Sequence, residues 1–351
     1  MSSSNSLPLV LGLIIFSFLI TSLLVVPFIN VLYKLRLTRR KEAPIHGKIP
    51  LFDKLHDMKA GTPVGGGMLI IAVVSILFAL LFPFASRMGV YIRSSHDFRT
   101  EVFIILFTFI SFGVLGLYDD IVKIFGKPKK GALGMWFGLK RRQKFLLQWV
   151  LALIIGLLFY NKLGIQILHI PLFDHVLKLG PFFVVFAAMS IVTFTNAFNI
   201  TDGLDGLATG LLVICLMAFG AIAASNLDTP LASFISLWLG GLLAFGYFNI
   251  WPARIHLGDA GALSFGAMLA VIGLLTGSFV ALFVIGGIFL IEIVSSAIQI
   301  FGWKVFKKPL LPLAPLHNTF LAKGWEEPKI VMRAWLAGVL LAIFGLWLAT
   351  I

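Results

Sequence analysis

Six carboxylates lie in or against the ends of apolar segments: Asp119, Asp120, Asp202, Asp205, Asp259 and Glu292. A carboxylate at the bilayer centre costs about 2.5–3.5 kcal/mol, so five aspartates facing lipid at that depth would cost roughly 12–17 kcal/mol. Such groups belong at the membrane edge or along a wet cavity, where acidic side chains do chemistry.

Their settings suggest which chemistry. Asp119-Asp120 follow an apolar run and precede Lys123. Adjacent carboxylates repel unless a lysine or a divalent cation offsets them, and hard oxygen donors facing phosphates suit Mg²⁺. The plain alternative is a helix end with a salt bridge to Lys123. Asn196, Asn199, Asp202 and Asp205 recur every third residue, which on a helix makes a slowly drifting polar ridge. Gly203 and Gly206 permit a break there. Asn249 ends one apolar run, and His256-Leu257-Gly258-Asp259-Ala260-Gly261 opens the next. At a helix start Asp259 can reach a metal while free amides face an anion, or it can serve as an ordinary cap. Lys59-Ala60-Gly61-Thr62-Pro63, followed by Gly65-Gly66-Gly67, offers a glycine-rich turn in which Lys59 and Thr62 could cradle phosphate, though without P-loop spacing. His317 lies in a basic, proline-rich loop and is structural or catalytic.

These groups need a membrane scaffold. Of 351 residues 59% are apolar and 12% charged, about half the charged fraction of a soluble domain, and mean hydropathy is +1.02. Runs long enough to span a bilayer fall near 8–33, 64–86, 102–118, 145–160, 181–199, 206–225, 231–249, 261–275, 279–301 and 331–350. They predict an all-α, polytopic membrane protein of about ten transmembrane helices, a single domain over 1–351. The first run lacks a positive front and is followed by its basic cluster, unlike a cleaved signal peptide. The single cysteine, Cys215, allows no intrachain disulfide. Of the 28 Lys and Arg, 23 fall in alternate loops near 34–63, 119–144, 250–260 and 302–333, and five in the others. The positive-inside rule then puts those loops, with the short 200–206 turn, in the cytoplasm and both termini in the periplasm. The net charge of +13 fits anionic lipid or an anionic substrate rather than nucleic acid.

Lys59-Ala60-Gly61-Thr62-Pro63, Asp119-Asp120, the run Asn196 to Ala208, Gly258-Asp259 and Ala314-Pro315-Leu316-His317, in this order and spacing, resemble the polyprenyl-phosphate N-acetylhexosamine-1-phosphate transferases. The stretch from Glu292 to Trp335 is similar to their muramoyl branch, the phospho-N-acetylmuramoyl-pentapeptide transferases. The resemblance implies a Mg²⁺-dependent enzyme of the bacterial inner membrane with its site facing the cytoplasm. It transfers phospho-MurNAc-pentapeptide from UDP-MurNAc-pentapeptide to undecaprenyl phosphate, giving lipid I and UMP in peptidoglycan synthesis. It implies a homodimer held in membrane lipid.

By that resemblance Asp119, Asp120, Asp202, Asp259 and His317 are the catalytic set, with Asp259 and Asp120 on the metal. Asp119 activates or positions the lipid phosphate. Lys59, Thr62, Lys123, Lys144, Asn199, Asp205, Asn249 and His256 face the substrate. A carboxylate nucleophile giving a covalent phospho-enzyme is the rival mechanism. A sibling acting on UDP-GlcNAc and, more remotely, a lipid or solute transporter are the alternative functions. The chain departs from the family where His317-Asn318-Thr319 replaces three histidines, and where His256 stands for a phenylalanine that stacks on uracil. Ala262 replaces a usual serine and Val64-Gly65 a Thr-Met pair. Altered nucleoside contacts are the expected result.

Overall fold

The computed structural model describes residues 7–39, 59–85, 92–125, 141–173 and 175–351. The cytoplasmic loops expected near 34–63 and 119–144 fall partly outside these residues, at 40–58 and 126–140. The fold is all-α. Its helices are α1 (Leu7–Lys34), α2 (Gly66–Ala85), α3 (Phe98–Phe125), α4 (Arg141–Lys162), α5 (Phe182–Thr201), α6 (Leu207–Ser225), α7 (Thr229–Asn249), α8 (Gly258–Leu275), α9 (Phe279–Ile285), α10 (Gly287–Phe301), α11 (Leu316–Ala322) and α12 (Glu327–Thr350). A small antiparallel hairpin, β1 (Ile167–Ile170) and β2 (His175–Lys178), pairs Ile170 with His175 between α4 and α5. Among the described residues nine helical segments are long and apolar enough to cross a membrane, and the apolar α2 packs among them.

Two expected spans differ in detail. The third runs on past residue 118, so Asp119 and Asp120 belong to the last turns of α3 rather than to a loop. The ninth breaks at Gly286 into α9 and α10, and its far end widens into a π-helical turn over Gly302–Phe306.

The core is centred on α8, buried along nearly its whole length, with α2, α3 and α5 packed around it. Small residues let these backbones approach closely, the usual device where lipid removes the hydrophobic drive between helices. A Cβ on Gly67 would stand 2.2 Å from the Cα of Gly261, and one on Gly116 would stand 2.1 Å from the carbonyl oxygen of Asp259. Higher in the bundle Phe109, Phe234, Trp238 and Phe265 interlock, with Phe109 edge-on to Phe234 and Trp238 at 5.1 Å between centroids. Outward faces of α1, α10 and α12 carry exposed Leu, Ile, Phe and Trp, as lipid-facing helices require.

Candidate active site

Five connections meet at one end of the bundle: the segment before α2, the α3–α4 ends, the α5–α6 turn, the α7–α8 link and the segment between α10 and α12. Asp119, on the last turns of α3, is buried, and its Oδ2 accepts from Lys123 Nζ at 3.0 Å and Lys144 Nζ at 2.8 Å. Lys123 Nζ also donates to Asp259 Oδ2 at 2.5 Å, and Lys144 Nζ bonds the same oxygen. Asn199 Nδ2 donates to Asp259 Oδ1 at 3.0 Å. Two carboxylates from α3 and α8 thus share two ammonium groups, one from α3 and one from the first turn of α4. Among the described residues no three acidic or histidine side chains converge as a metal cluster; the two carboxylates are hard oxygen donors of the kind that Mg²⁺ takes.

Asp120 does something different from its neighbour. Its Oδ1 accepts the backbone N–H of Asp259 and its Oδ2 that of Ala260, both at 3.0 Å. It caps the first turn of α8 from another helix, satisfying amides that the helix leaves open. A place on the metal was expected of it; in this structure each of its oxygens accepts one amide of the backbone that carries Asp259.

A second cluster adjoins the first. Lys59 Nζ lies 2.7 Å from Asp205 Oδ1 and 2.6 Å from Glu327 Oε1, and donates to the carbonyl of Gly203 at 3.3 Å. Glu327 Oε1 also accepts the N–H of Asp205 at 2.6 Å, and Asp205 Oδ2 accepts from Ala253 N at 2.9 Å. Lys59 therefore ties the segment before α2 to the α5–α6 turn and to the start of α12. Asp202 ends α5, with Gly206 at φ +77° opening α6. Burial lifts the Asp202 carboxyl to about 8 against the pull of Lys59. His256, with its Nδ1 3.9 Å from Asp205 Oδ1, is pushed down to about 4 by burial despite Asp205. Its Nε2 is buried without a hydrogen-bond partner among the described residues.

His317 is buried on the third side. Its backbone N–H and Nδ1 face the Glu292 carboxylate, with Nδ1 at 3.0 Å from Oε2. Its Nε2 points at the α5–α6 turn, where a Cβ on Gly203 would come within 2.5 Å.

The remaining polar residues of this end make contacts within the fold. Asn249 is buried with both ends of its amide used: Oδ1 accepts from Thr209 Oγ1 at 2.7 Å and Nδ2 donates to Ile255 O at 3.0 Å. Thr62 anchors its turn through its backbone, its carbonyl accepting from Arg39 N at 2.9 Å. Asn196 joins α5 to α4, donating to Gln148 Oε1 at 2.7 Å. Thr319 Oγ1 bonds the carbonyl of Leu313, and Asn318 is buried with Oδ1 unpartnered among the described residues. Glu327 was missed by sequence reasoning, since nothing marks it apart from Glu326. Glu292 was noticed as a carboxylate in an apolar run but was not paired with His317.

The family described as glycosyl transferase family 4 matches residues 102–277. The chain is similar to the phospho-N-acetylmuramoyl-pentapeptide-transferase of Geobacillus sp. (strain WCH70), 32% identical over 337 residues, covering 95% of this chain and 96% of that one. The enzyme of the same name from Caldanaerobacter subterraneus subsp. tengcongensis is 34% identical over 291 residues, covering 83% and 85%. That from Rickettsia canadensis is 34% identical over 310 residues, covering 83% and 80%.

Proposed function

This chain belongs to glycosyl transferase family 4 and, within it, to the phospho-N-acetylmuramoyl-pentapeptide transferases, and we propose on that premise that its acidic site makes lipid I. The reaction joins UDP-MurNAc-pentapeptide to undecaprenyl phosphate and releases UMP. An oxygen of the lipid phosphate attacks the phosphorus that bears the sugar. The bond from that phosphorus to the UMP oxygen breaks, and UMP leaves with the electron pair. The relatives' names favour this reading over a GlcNAc-type sibling and over a transporter.

The observation that carries it is the group in which Lys123 and Lys144 both contact Asp119 and Asp259. The attacking phosphate is already anionic, so the difficulty is bringing anions together rather than removing a proton. Lys123 and Lys144 are placed to hold phosphate oxygens and to stabilise charge on the departing UMP. Removing one such preorganised contact typically costs about 10²–10³ in rate. Asp119 is assigned to positioning these lysines and the lipid phosphate. Its Oδ2 is engaged by both of them, which speaks against a free nucleophile. Asp259, with Asp119 beside it, is assigned to Mg²⁺, which when bound would neutralise the diphosphate. Asp120 is assigned to holding the start of α8. Lys59, Asn199, Asp202, Asp205 and His256 line the sugar-nucleotide side, and His317 closes it.

The basic loops support a cytoplasmic site and periplasmic termini, and the family resemblance supports residence in the bacterial inner membrane as a homodimer. The sugar nucleotide then arrives from the cytosol and the lipid from the bilayer. The test is UMP release by purified enzyme with UDP-MurNAc-pentapeptide or UDP-GlcNAc, with and without Mg²⁺, for wild type, Asp119→Asn, Asp202→Asn and Asp259→Asn. The expected result is Mg²⁺-dependent release with the muramoyl substrate, lost in Asp119→Asn and Asp259→Asn and reduced in Asp202→Asn. Release with UDP-GlcNAc alone, or full activity in Asp259→Asn, would overturn it.

A further inference from the structure

One face of α10 carries Glu292, Ser295 and Gln299, spaced three and four residues apart so that they stand in a row. Each grips the segment that bears His317. Gln299 Oε1 accepts from Leu310 N at 3.1 Å and Leu311 N at 2.8 Å, and its Nε2 donates to Leu311 O at 3.0 Å. Ser295 Oγ accepts from Leu316 N at 3.0 Å. Glu292 reaches the histidine itself: its two oxygens lie 3.2 and 3.3 Å from the backbone N of His317, and Oε2 lies 3.0 Å from Nδ1. Both side chains are buried, Glu292 to 5% exposure and His317 to 2%.

With the Glu292 carboxylate as acceptor the shared proton sits on Nδ1, and in the neutral imidazole this leaves the ring's lone pair on Nε2. The partner of one ring nitrogen thereby decides what the other can do. Here Nε2 looks onto Gly203, whose carbonyl already takes a bond from Lys59 Nζ. Only a glycine leaves room for the imidazole there. Of the two residues that follow, Thr319 has its hydroxyl bonded to Leu313, and Asn318 is buried with its Oδ1 unpartnered among the described residues.

We infer that Glu292 is a positioning residue for the transfer reaction: it locks His317 as the Nδ1–H tautomer so that Nε2 accepts a hydrogen bond from a hydroxyl or amide donor of the sugar nucleotide at the α5–α6 turn. The inference rests on the function proposed above and adds to it a residue and a protonation state.

The experiment compares Glu292→Gln, Glu292→Asp, His317→Ala and Glu292→Gln/His317→Ala with Gln299→Ala, which loosens the same segment without touching the ring. Glu292→Gln should lower kcat for UMP release by about 10–100-fold, the usual effect of losing the partner that orients an imidazole. KM for the sugar nucleotide should rise as well, because the hydrogen bond that Nε2 accepts from it is already made in the ground state. Glu292→Asp should recover part of the loss, and Glu292→Gln should add nothing in the His317→Ala background. Gln299→Ala should lower thermal stability with a kcat near that of wild type. Separately, ¹⁵N shifts of histidine-labelled wild type, assigned by difference from His317→Ala, should report a protonated Nδ1 and an unprotonated Nε2. That readout needs no turnover, so an enzyme inactive toward UDP-MurNAc-pentapeptide would refute the proposed function and leave the tautomer decided on its own. A wild-type kcat in Glu292→Gln, additive losses in the double variant, or a protonated Nε2, whether Nδ1 is bare or protonated, would overturn the inference.

Discussion

Gly116→Ala tests whether the closeness of α3 to α8 sets the geometry of the acidic site. The new Cβ would stand 2.1 Å from the Asp259 carbonyl oxygen, 2.4 Å from its carbon and 2.6 Å from the Cα of Ala260. All three are backbone atoms, so no rotamer change relieves the clash. Opening the first contact from 2.1 to an ordinary 3.4 Å requires the two helices to part by about 1.3 Å. Overpacking of this kind costs about 1–3 kcal/mol of stability. The same displacement carries Asp119 and Asp120 away from Asp259, since all three sit within a turn of the contact. A misplacement of about 1 Å lowers rates by about 100-fold, equivalent to ~2.7 kcal/mol of barrier. The assay is UMP release alongside Tm in detergent, with Gly12→Ala as the control, because a Cβ there meets nothing within 4 Å. Gly116→Ala with a kcat within about threefold of wild type would refute the claim that a shift of this size, worth about 100-fold, is built into the contact.

Asp120→Asn replaces one of two acceptors at the start of α8 with an N–H donor, so Tm should fall by the equivalent of about 1–3 kcal/mol, with activity falling in parallel. Lys59→Met leaves Asp205 and Glu327 facing each other without their cation. The loss is about 3 kcal/mol for a largely buried pair, and Lys59→Met/Glu327→Gln should restore part of the Tm. His256 sits near 4 when folded, below its ordinary 6.5, so its contribution is present above pH 6.5 and is lost as pH falls toward 4. Between pH 7 and 5 this amounts to about 2 kcal/mol. His256→Phe should narrow the Tm difference between those two pH values and change UMP affinity; equal UMP binding by the two proteins would discard a nucleoside role.

The long apolar runs announced the helices, and the segregation of lysine and arginine announced that one end of the bundle differs from the other. Asp119, Asp259 and Asn199 were legible because each closes or opens an apolar run. Asp120 was not legible: adjacency suggests two ligands side by side, but consecutive helical residues point about 100° apart, and only the position of α8 reveals what Asp120 meets. The contacts of Asn249 were hidden for a similar reason, since its partners Thr209 and Ile255 come from elsewhere in the fold. The break at Gly286 lies inside an unbroken hydrophobic stretch, and the pairing of Glu292 with His317 spans 25 residues of chain. The pairing leaves no local signal, whereas the break falls at the Gly286-Gly287 pair.

The contact between Gly67 and Gly261 puts bare main chain on both sides of the α2–α8 seam. A bulkier residue at Gly67 meets backbone at its three nearest contacts, and one at Gly261 meets the Gly67 main chain before the Leu257 side chain, so trimming an opposing side chain cannot relieve the closest clash. Genetic rescue of such a lesion must come by reversion or by resetting the tilt of a whole helix. In drift or laboratory selection this seam should therefore stand still while the lipid-facing surfaces diverge.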